Sequence, residues 1–170
     1  AADAYVPNSF DHPREVMETN MIGTINILES VRLNKSILRA VCTSSSEIYG
    51  LTIGKSIDES HQLFPSSPYA ASKVAADRYC YSYINTYGLP VSIIRPFNTY
   101  GPRHTYDVIP KFIELALQDK DLPIYGDGKQ KRCFSYIDDC LSCMIPMLDQ
   151  KNLNKQTINI GPDEEFVTIN

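Results

Sequence analysis

The sequence predicts an α/β fold built on a parallel sheet. Two observations carry that reading. Short apolar, β-branched runs of four to six residues alternate with helix-period segments of ten to twenty. The stretches between the runs are also long, which suits right-handed crossovers and not hairpins. With 170 residues, 43% hydrophobic and 21% charged, the composition fits one compact globular unit and neither a disordered nor a fibrous chain.

Each element has its own local signal. Over residues 11–32, Val16, Met17, Met21, Thr24, Ile27, Leu28 and Val31 recur at three- and four-residue spacing. That stripe predicts a helix with Asp11 as its cap and Pro13 in its first turn. Gly23 inside it costs roughly 1 kcal/mol against alanine, so either a neighbouring element passes close or the helix tolerates it. The run 37–42 is apolar except for Arg39 and reads as a buried parallel strand. The polar TSSSEIYG, 43–50, then falls at its C-terminal end, the edge where open α/β sheets bind ligands.

A second long helix is predicted over 68–87, with Ser67 as cap, Pro68 in the first turn, and Gly88 and Pro90 as stop signals. Strand 91–97, helix 107–118, a short strand with a tight glycine turn over 122–130, a helix over 138–148 despite Pro146, and a strand over 157–161 complete the pattern. The stretch 51–67 is polar, contains proline and lies beside the suspected site.

Charge and cysteine usage narrow the function. Twenty acidic against sixteen basic residues give a net charge of −4, which argues against a nucleic-acid partner. No apolar run is long enough to span a membrane, and the first residues are not a signal peptide. Five cysteines without disulfide-rich spacing favour reduced thiols and a cytoplasmic location. Cys140 and Cys143, with Cys133 nearby, fall short of a structural zinc set, so no metal site is expected. The AADAYV opening and FVTIN ending suggest a piece of a longer protein.

Tyr69 and Lys73 lie four apart on the second long helix and share a face. An adjacent ammonium would favour the phenolate of a tyrosine whose ordinary pKa is near ~10. Ser45, at the end of the preceding strand, could hydrogen-bond the same substrate oxygen. Tyr and Lys at this spacing occur in many helices, so spacing alone leaves catalysis and an ordinary helix face both open.

The segments NMIGT, TSSSEIYG, SPYAASK, RPFNTYGPR, LPIYGDGKQKR and YIDD appear in an order that resembles the extended short-chain dehydrogenase/reductases. The closest likeness is to the NAD-dependent nucleotide-sugar epimerases and dehydratases. The resemblance implies a Rossmann-like parallel sheet with helices on both faces, N-terminally incomplete, plus part of a smaller substrate-binding region. On that reading residues 1–102 are the C-terminal part of the NAD-binding domain and 103–156 the substrate-binding region. Residues 157–170 are a returning strand and the start of a missing C-terminal part. The family's glycine-rich pyrophosphate turn is not found in this sequence.

The resemblance also assigns site residues. It places the family's catalytic triad on Ser45, Tyr69 and Lys73, with Glu47 as a further acid–base group. Contacts to NAD fall on Thr43, Tyr69, Lys73 and Pro96. A nucleotide-diphospho-sugar would meet Ser45, Ser46, Asn98, Tyr125 and Arg132. Arg132 offers a planar fork to the diphosphate, and Tyr125 would lie beside the base or serve as a core aromatic. Arg95 is expected to serve structural pairing, Asp138 and Asp139 to cap a helix, and Asn20 to steady the central strands. His104 is a possible substrate neighbour. The family commonly forms homodimers through helices that here would be 13–32 and 68–87.

Dehydratases of the family commonly carry Thr-Asp-Glu where this chain has Ser45-Ser46-Glu47. The retained Glu favours a sugar 4,6-dehydratase, with Glu47 removing the C5 proton. A nucleotide-sugar 4-epimerase, which needs no C5 base, is the alternative. A UDP-glucuronate decarboxylase and a non-enzymatic NAD-fold protein rank below it.

Overall fold

The computed structural model describes residues 2–51, 57–162 and 167–169. Its centre is a parallel sheet of three strands, β1 (Ala40–Thr43), β2 (Val91–Pro96) and β6 (Thr157–Ile160), in the order β1-β2-β6. Ala40 pairs with Val91 and Thr43 with Ile94, while Ile93 pairs with Thr157 and Pro96 with Ile160. All three strands therefore end at one edge, and that edge carries the site.

The middle strand alternates its side chains between two cores. Val91 and Ile93 join Leu28, Val31, Cys80 and Leu89 under the helices α3 (Gly23–Leu33) and α4 (Pro68–Tyr87). Ile94 faces the opposite way and packs with Cys140, Met147 and Ile160. These come from α6 (Ile137–Met144), α7 (Pro146–Asp149) and β6. Helices thus cover both faces, as expected for a parallel sheet whose strands are apolar on each side. Burying Ile93 and Ile94 fully contributes about 1.5–3 kcal/mol each.

Helix α4 is bounded as its sequence predicts. The Ser67 side chain accepts from Ala70 N at 3.0 Å, Pro68 occupies the first turn, and Gly88 ends the helix in the left-handed region with φ 68°. The first helical segment departs from expectation. It begins at α1 (Asn8–Asp11), and Asp11 is the last residue of that turn rather than the cap of the next helix. His12 precedes α2 (Pro13–Met17) with no side-chain cap, and a wide π-type turn over Glu18–Ile22 leads into α3. Ile27 is exposed, and a Cβ on Gly23 would meet nothing within 4 Å, so the helix simply tolerates that glycine.

Several other boundaries move. The strand read over 37–42 runs from Ala40 to Thr43. No strand forms over 122–130, where Leu122, Ile124 and Tyr125 are exposed. The strand lies just beyond, at β4 (Lys131–Arg132), which pairs antiparallel with β7 (Val167–Thr168). A second small pair joins β3 (Thr99–Tyr100) to β5 (Ser135–Tyr136). The helix read over 138–148 breaks before Pro146, which lacks the N–H an unbroken helix would use. Asp138 and Asp139 occupy the first turn of α6 but make no side-chain cap bond. Helix α5 (Val108–Leu117) has no buried residue. No described helix is long and apolar enough to cross a membrane.

Candidate active site

Ser45, Glu47, Tyr69 and Lys73 converge beyond the C-terminal end of β1. Two residues past the strand, Ser45 is extended and its hydroxyl accepts from Glu47 N at 3.2 Å, which starts a 3₁₀ turn over Ser46–Tyr49. Tyr69 lies in the first turn of α4 and Lys73 one turn further along the same buried face. Ser45, Tyr69 and Lys73 are exposed by only 8%, 7% and 5%. Ser46 is half-buried and Glu47 exposed.

Burial pushes the Tyr69 phenol above its ordinary value, the nearby Ser45 hydroxyl opposes this, and the negative charge of Glu47 adds to the rise. Lys73 Nζ donates to the Thr43 carbonyl at 2.6 Å, and burial holds the ammonium below its usual range. The placement of both residues on one helix face beside Ser45 is as expected. Thr43, exposed at the end of β1, supplies that carbonyl, and Pro96 is half-buried at the end of β2.

The residues assigned to the diphosphate and base lie elsewhere. Asn98 Nδ2 donates to the Cys133 carbonyl at 3.0 Å, and Asn98 O accepts from Ser135 N at 2.9 Å, so this asparagine ties the loop after β2 to β5. Arg132 is exposed on β4, where its Nη1 donates to the Lys131 carbonyl. Tyr125 is 82% exposed and is not a core aromatic. No described contact brings Tyr125 or Arg132 to the Ser45–Tyr69 cluster.

A cavity of about 590 Å³ lies beside α5, walled by Tyr100, Arg103, His104, Ile113 and Tyr136. Ser45, Tyr69 and Lys73 are not among its lining residues. His104 Nε2 pairs with Asp107 at 3.1 Å, and its ring stands edge-on to Tyr106 with centroids 4.5 Å apart. The Tyr106 charge contributes to the upward shift of Tyr69, so this loop borders the site.

Further residues support the cluster. Asn20, in the wide turn, accepts from Asp3 N at 2.8 Å and donates to Asp3 O and Ser72 Oγ at 3.0 Å each. It thus joins the opening segment to α4 between Tyr69 and Lys73. Arg95 is buried and structural, as expected. Its partner Asp77, together with Tyr49 and Asn159, was missed by the sequence reading. Asp77 had one usable signal, since it lies four residues after Lys73 and so on the same buried face. Cys42 and Cys80 meet in the core between β1 and α4; the contact lowers the Cys42 thiol, and it pushes Cys80 up together with burial.

A parallel α/β sheet with Ser, Tyr and Lys gathered at its C-terminal edge defines the class, that of the extended short-chain dehydrogenase/reductases of the nucleotide-sugar epimerase/dehydratase group. Within it, residues 1–169 match the family model described as GDP-mannose 4,6 dehydratase, and the chain belongs to that family. It is 38% identical over 97% of its length to a UDP-N-acetyl-alpha-D-glucosaminuronate decarboxylase of Bacillus cytotoxicus, 53% of which is covered.

Among solved structures, the UDP-N-acetylglucosamine 4-epimerase of Methanobrevibacter ruminantium superposes with a TM-score of 0.92 at 32% identity, over 99% of this chain and 55% of that one. The dTDP-glucose 4,6-dehydratase DesIV of Streptomyces venezuelae, solved with NAD and TYD bound, gives 0.91 at 34% identity, over 99% and 52%. The chain spans about half the length of these relatives.

Proposed function

We propose that the protein containing this chain is an NAD-dependent nucleotide-diphospho-sugar 4,6-dehydratase. The convergence of Ser45, Glu47 and Tyr69 beyond β1 is the observation that carries the reading. Both an alcohol-activating phenol and a carboxylate able to act at C5 stand at one sheet edge. The match to the GDP-mannose 4,6 dehydratase family model supports the same reaction.

The donor set fits NAD. Lys73 presents a buried ammonium with one described hydrogen bond, to Thr43 O, which leaves further N–H groups for a ribose hydroxyl. Thr43 and Pro96 end the neighbouring strands at the edge where such folds take dinucleotides. Bound NAD would supply the hydride acceptor for C4 and return the hydride to the sugar.

The chain's own residues handle protons and orientation. Tyr69 takes the proton of the C4 hydroxyl, and Ser45 hydrogen-bonds the same oxygen. The resulting 4-ketone makes the C5 proton acidic; Glu47 takes that proton and delivers it, directly or through a bound water, to the C6 hydroxyl, which leaves as water. Ser46 hydrogen-bonds that leaving oxygen. Asn98 and Arg132 clamp the diphosphate, with Tyr125 beside the base. The exposed faces of helices 13–32 and 68–87 pair two copies into a homodimer.

A second reading, the 4-epimerase, is supported by the superposition on the Methanobrevibacter ruminantium structure. It leaves Glu47 without a task, and Glu47→Gln in the complete enzyme separates the two. The dehydratase keeps C4 oxidation, read as reduced-nicotinamide absorbance, yet loses product formation by at least about 10²-fold. Wild-type product made in deuterated water also carries deuterium at C5. A C4-inverted sugar with its C6 hydroxyl intact, from an enzyme indifferent to Glu47→Gln, identifies the epimerase instead.

A further inference from the structure

The turn that carries Ser46 and Glu47 ends on Tyr49, and Tyr49 is wired to the helix that carries Tyr69 and Lys73. Its hydroxyl donates to Asn159 Oδ1 at 2.7 Å and accepts from Arg95 Nη1 at 2.7 Å. The same guanidinium donates from Nε and Nη2 to the two Asp77 oxygens at 2.9 and 3.1 Å. Asp77 is one helical turn beyond Lys73. Tyr49, Arg95 and Asp77 are all but sealed from solvent, at 1%, 2% and 2% exposure. Loop 57–61 joins the same network. Glu59 O accepts from Arg95 Nη1 at 3.1 Å, Glu59 Oε1 from Asn159 N at 2.6 Å, and Ile57 O from Asn159 Nδ2 at 3.0 Å.

Close packing holds the end of the turn as well. The Tyr49 ring stacks on Phe97 with centroids 6.3 Å apart and planes inclined by 26°. Gly50, at φ 67°, is approached so tightly that a Cβ there would lie 1.9 Å from the Phe64 carbonyl oxygen.

A buried charged network of this kind is a poor device for stability, because well-packed apolar residues of equal volume often do as well or better. What apolar residues cannot supply is direction, since hydrogen bonds weaken steeply when misaligned. The Tyr49 hydroxyl is the only group of the turn that donates to one strand's residue and accepts from another's among the described contacts. We propose that Tyr49 is a positioning residue for the C4-oxidation site. By bridging Arg95 and Asn159 it holds the 45–49 turn at the height on α4 where Ser45 and Glu47 face Tyr69. This role rests on the proposed C4-oxidising function and adds to it the element that aligns its two halves.

The test is Tyr49→Phe in the full-length enzyme, with a nucleotide-sugar that wild type converts. The ring and its stacking stay, and only the bridge is lost. Misplacement of reacting groups by about 1 Å costs on the order of 10²-fold in rate, so kcat falls by about 10- to 100-fold. KM and the affinity for the free nucleoside diphosphate stay within about twofold, because Asn98 and Arg132 lie outside the network. Asn159→Leu, which removes the acceptor and leaves the Tyr49–Arg95 bond, gives the same split and serves if Tyr49→Phe folds poorly. Unchanged kcat in both variants overturns the proposal. So does a loss that only tracks the fraction of folded protein, which would mark a purely structural role. Wild type inactive on every UDP-, dTDP- and GDP-sugar rejects the functional reading itself, and the positioning role with it.

Discussion

Arg95→Met keeps most of the apolar stem of the side chain and deletes the guanidinium, which leaves Asp77 buried without its main partner. The Arg95 and Asp77 side chains are exposed by 2% and 0%, and their ion pair closes at 2.9 Å. Removing one member of a buried pair costs about 3–5 kcal/mol, because a carboxylate is left uncompensated. Arg78 also contacts Asp77, but its side chain is 44% exposed and it cannot replace the deeper partner.

Exchanging both residues, as Arg95→Met with Asp77→Leu, removes the orphaned charge and recovers roughly 2 kcal/mol or more of the loss. Urea unfolding of the full-length protein, followed by circular dichroism, measures both differences. The pH dependence supplies the sign. Burial alone would raise the Asp77 carboxyl, but hydrogen bonds and charge from Arg95 and Arg78 outweigh it and hold the group below the ordinary carboxylate range. Its stabilisation is therefore present above the unfolded value of about 3.9 and is lost as pH falls through the lower folded value. The gap between wild type and Arg95→Met accordingly narrows in acid. A loss under about 1 kcal/mol at neutral pH, or one that does not narrow in acid, would refute the reasoning.

The geometry sets three further outcomes. Gly50→Ala should destabilise the chain by about 1–3 kcal/mol, since it forces a left-handed backbone and drives the Phe64 carbonyl away; the unfolding midpoint reads this. Because burial raises the Tyr69 phenol, C4 oxidation should speed up as pH rises through the phenol's elevated pKa, and a stopped-flow profile that is flat above neutrality would contradict it. Arg132→Ala should weaken UDP, dTDP or GDP binding by roughly 2–5 kcal/mol if the clamp is a desolvated pair, which calorimetry measures directly.

The sequence made the sheet and the long helix legible because their signals are local. Ser67, Pro68 and Gly88 bound α4 through backbone geometry that three residues suffice to specify. The β-branched 91–97 run reads as a strand, and Val91–Pro96 forms one, with Val91 to Arg95 buried. Where the reading failed, the cause lay in tertiary contacts. Leu122, Ile124 and Tyr125 read as a short strand before a glycine turn, yet they stay exposed, and pairing begins only at Lys131, opposite Thr168. Asp11 has the composition of a cap, but a helical turn already precedes it, so His12 takes that position.

The site shows the same division. Ser45, Tyr69 and Lys73 could be found from motif order. The partner of Arg95 could not, because Asp77 and Tyr49 reach it from 18 and 46 residues away. Nor does four-residue spacing tell which acceptor Lys73 chooses. The Thr43 carbonyl takes it because β1 ends beneath that turn of α4.

The most direct test of C4 oxidation traces deuterium placed at C4 of the nucleotide-sugar that the full-length protein converts. If Ser45, Tyr69 and Lys73 support hydride removal from C4 and its return to the same sugar, NMR of the product finds the deuterium retained, at C6 for the dehydratase. Tyr69→Phe then lowers the rate by about 10²–10⁴-fold. Deuterium washed out to solvent, or a turnover rate indifferent to Tyr69→Phe, would contradict the account.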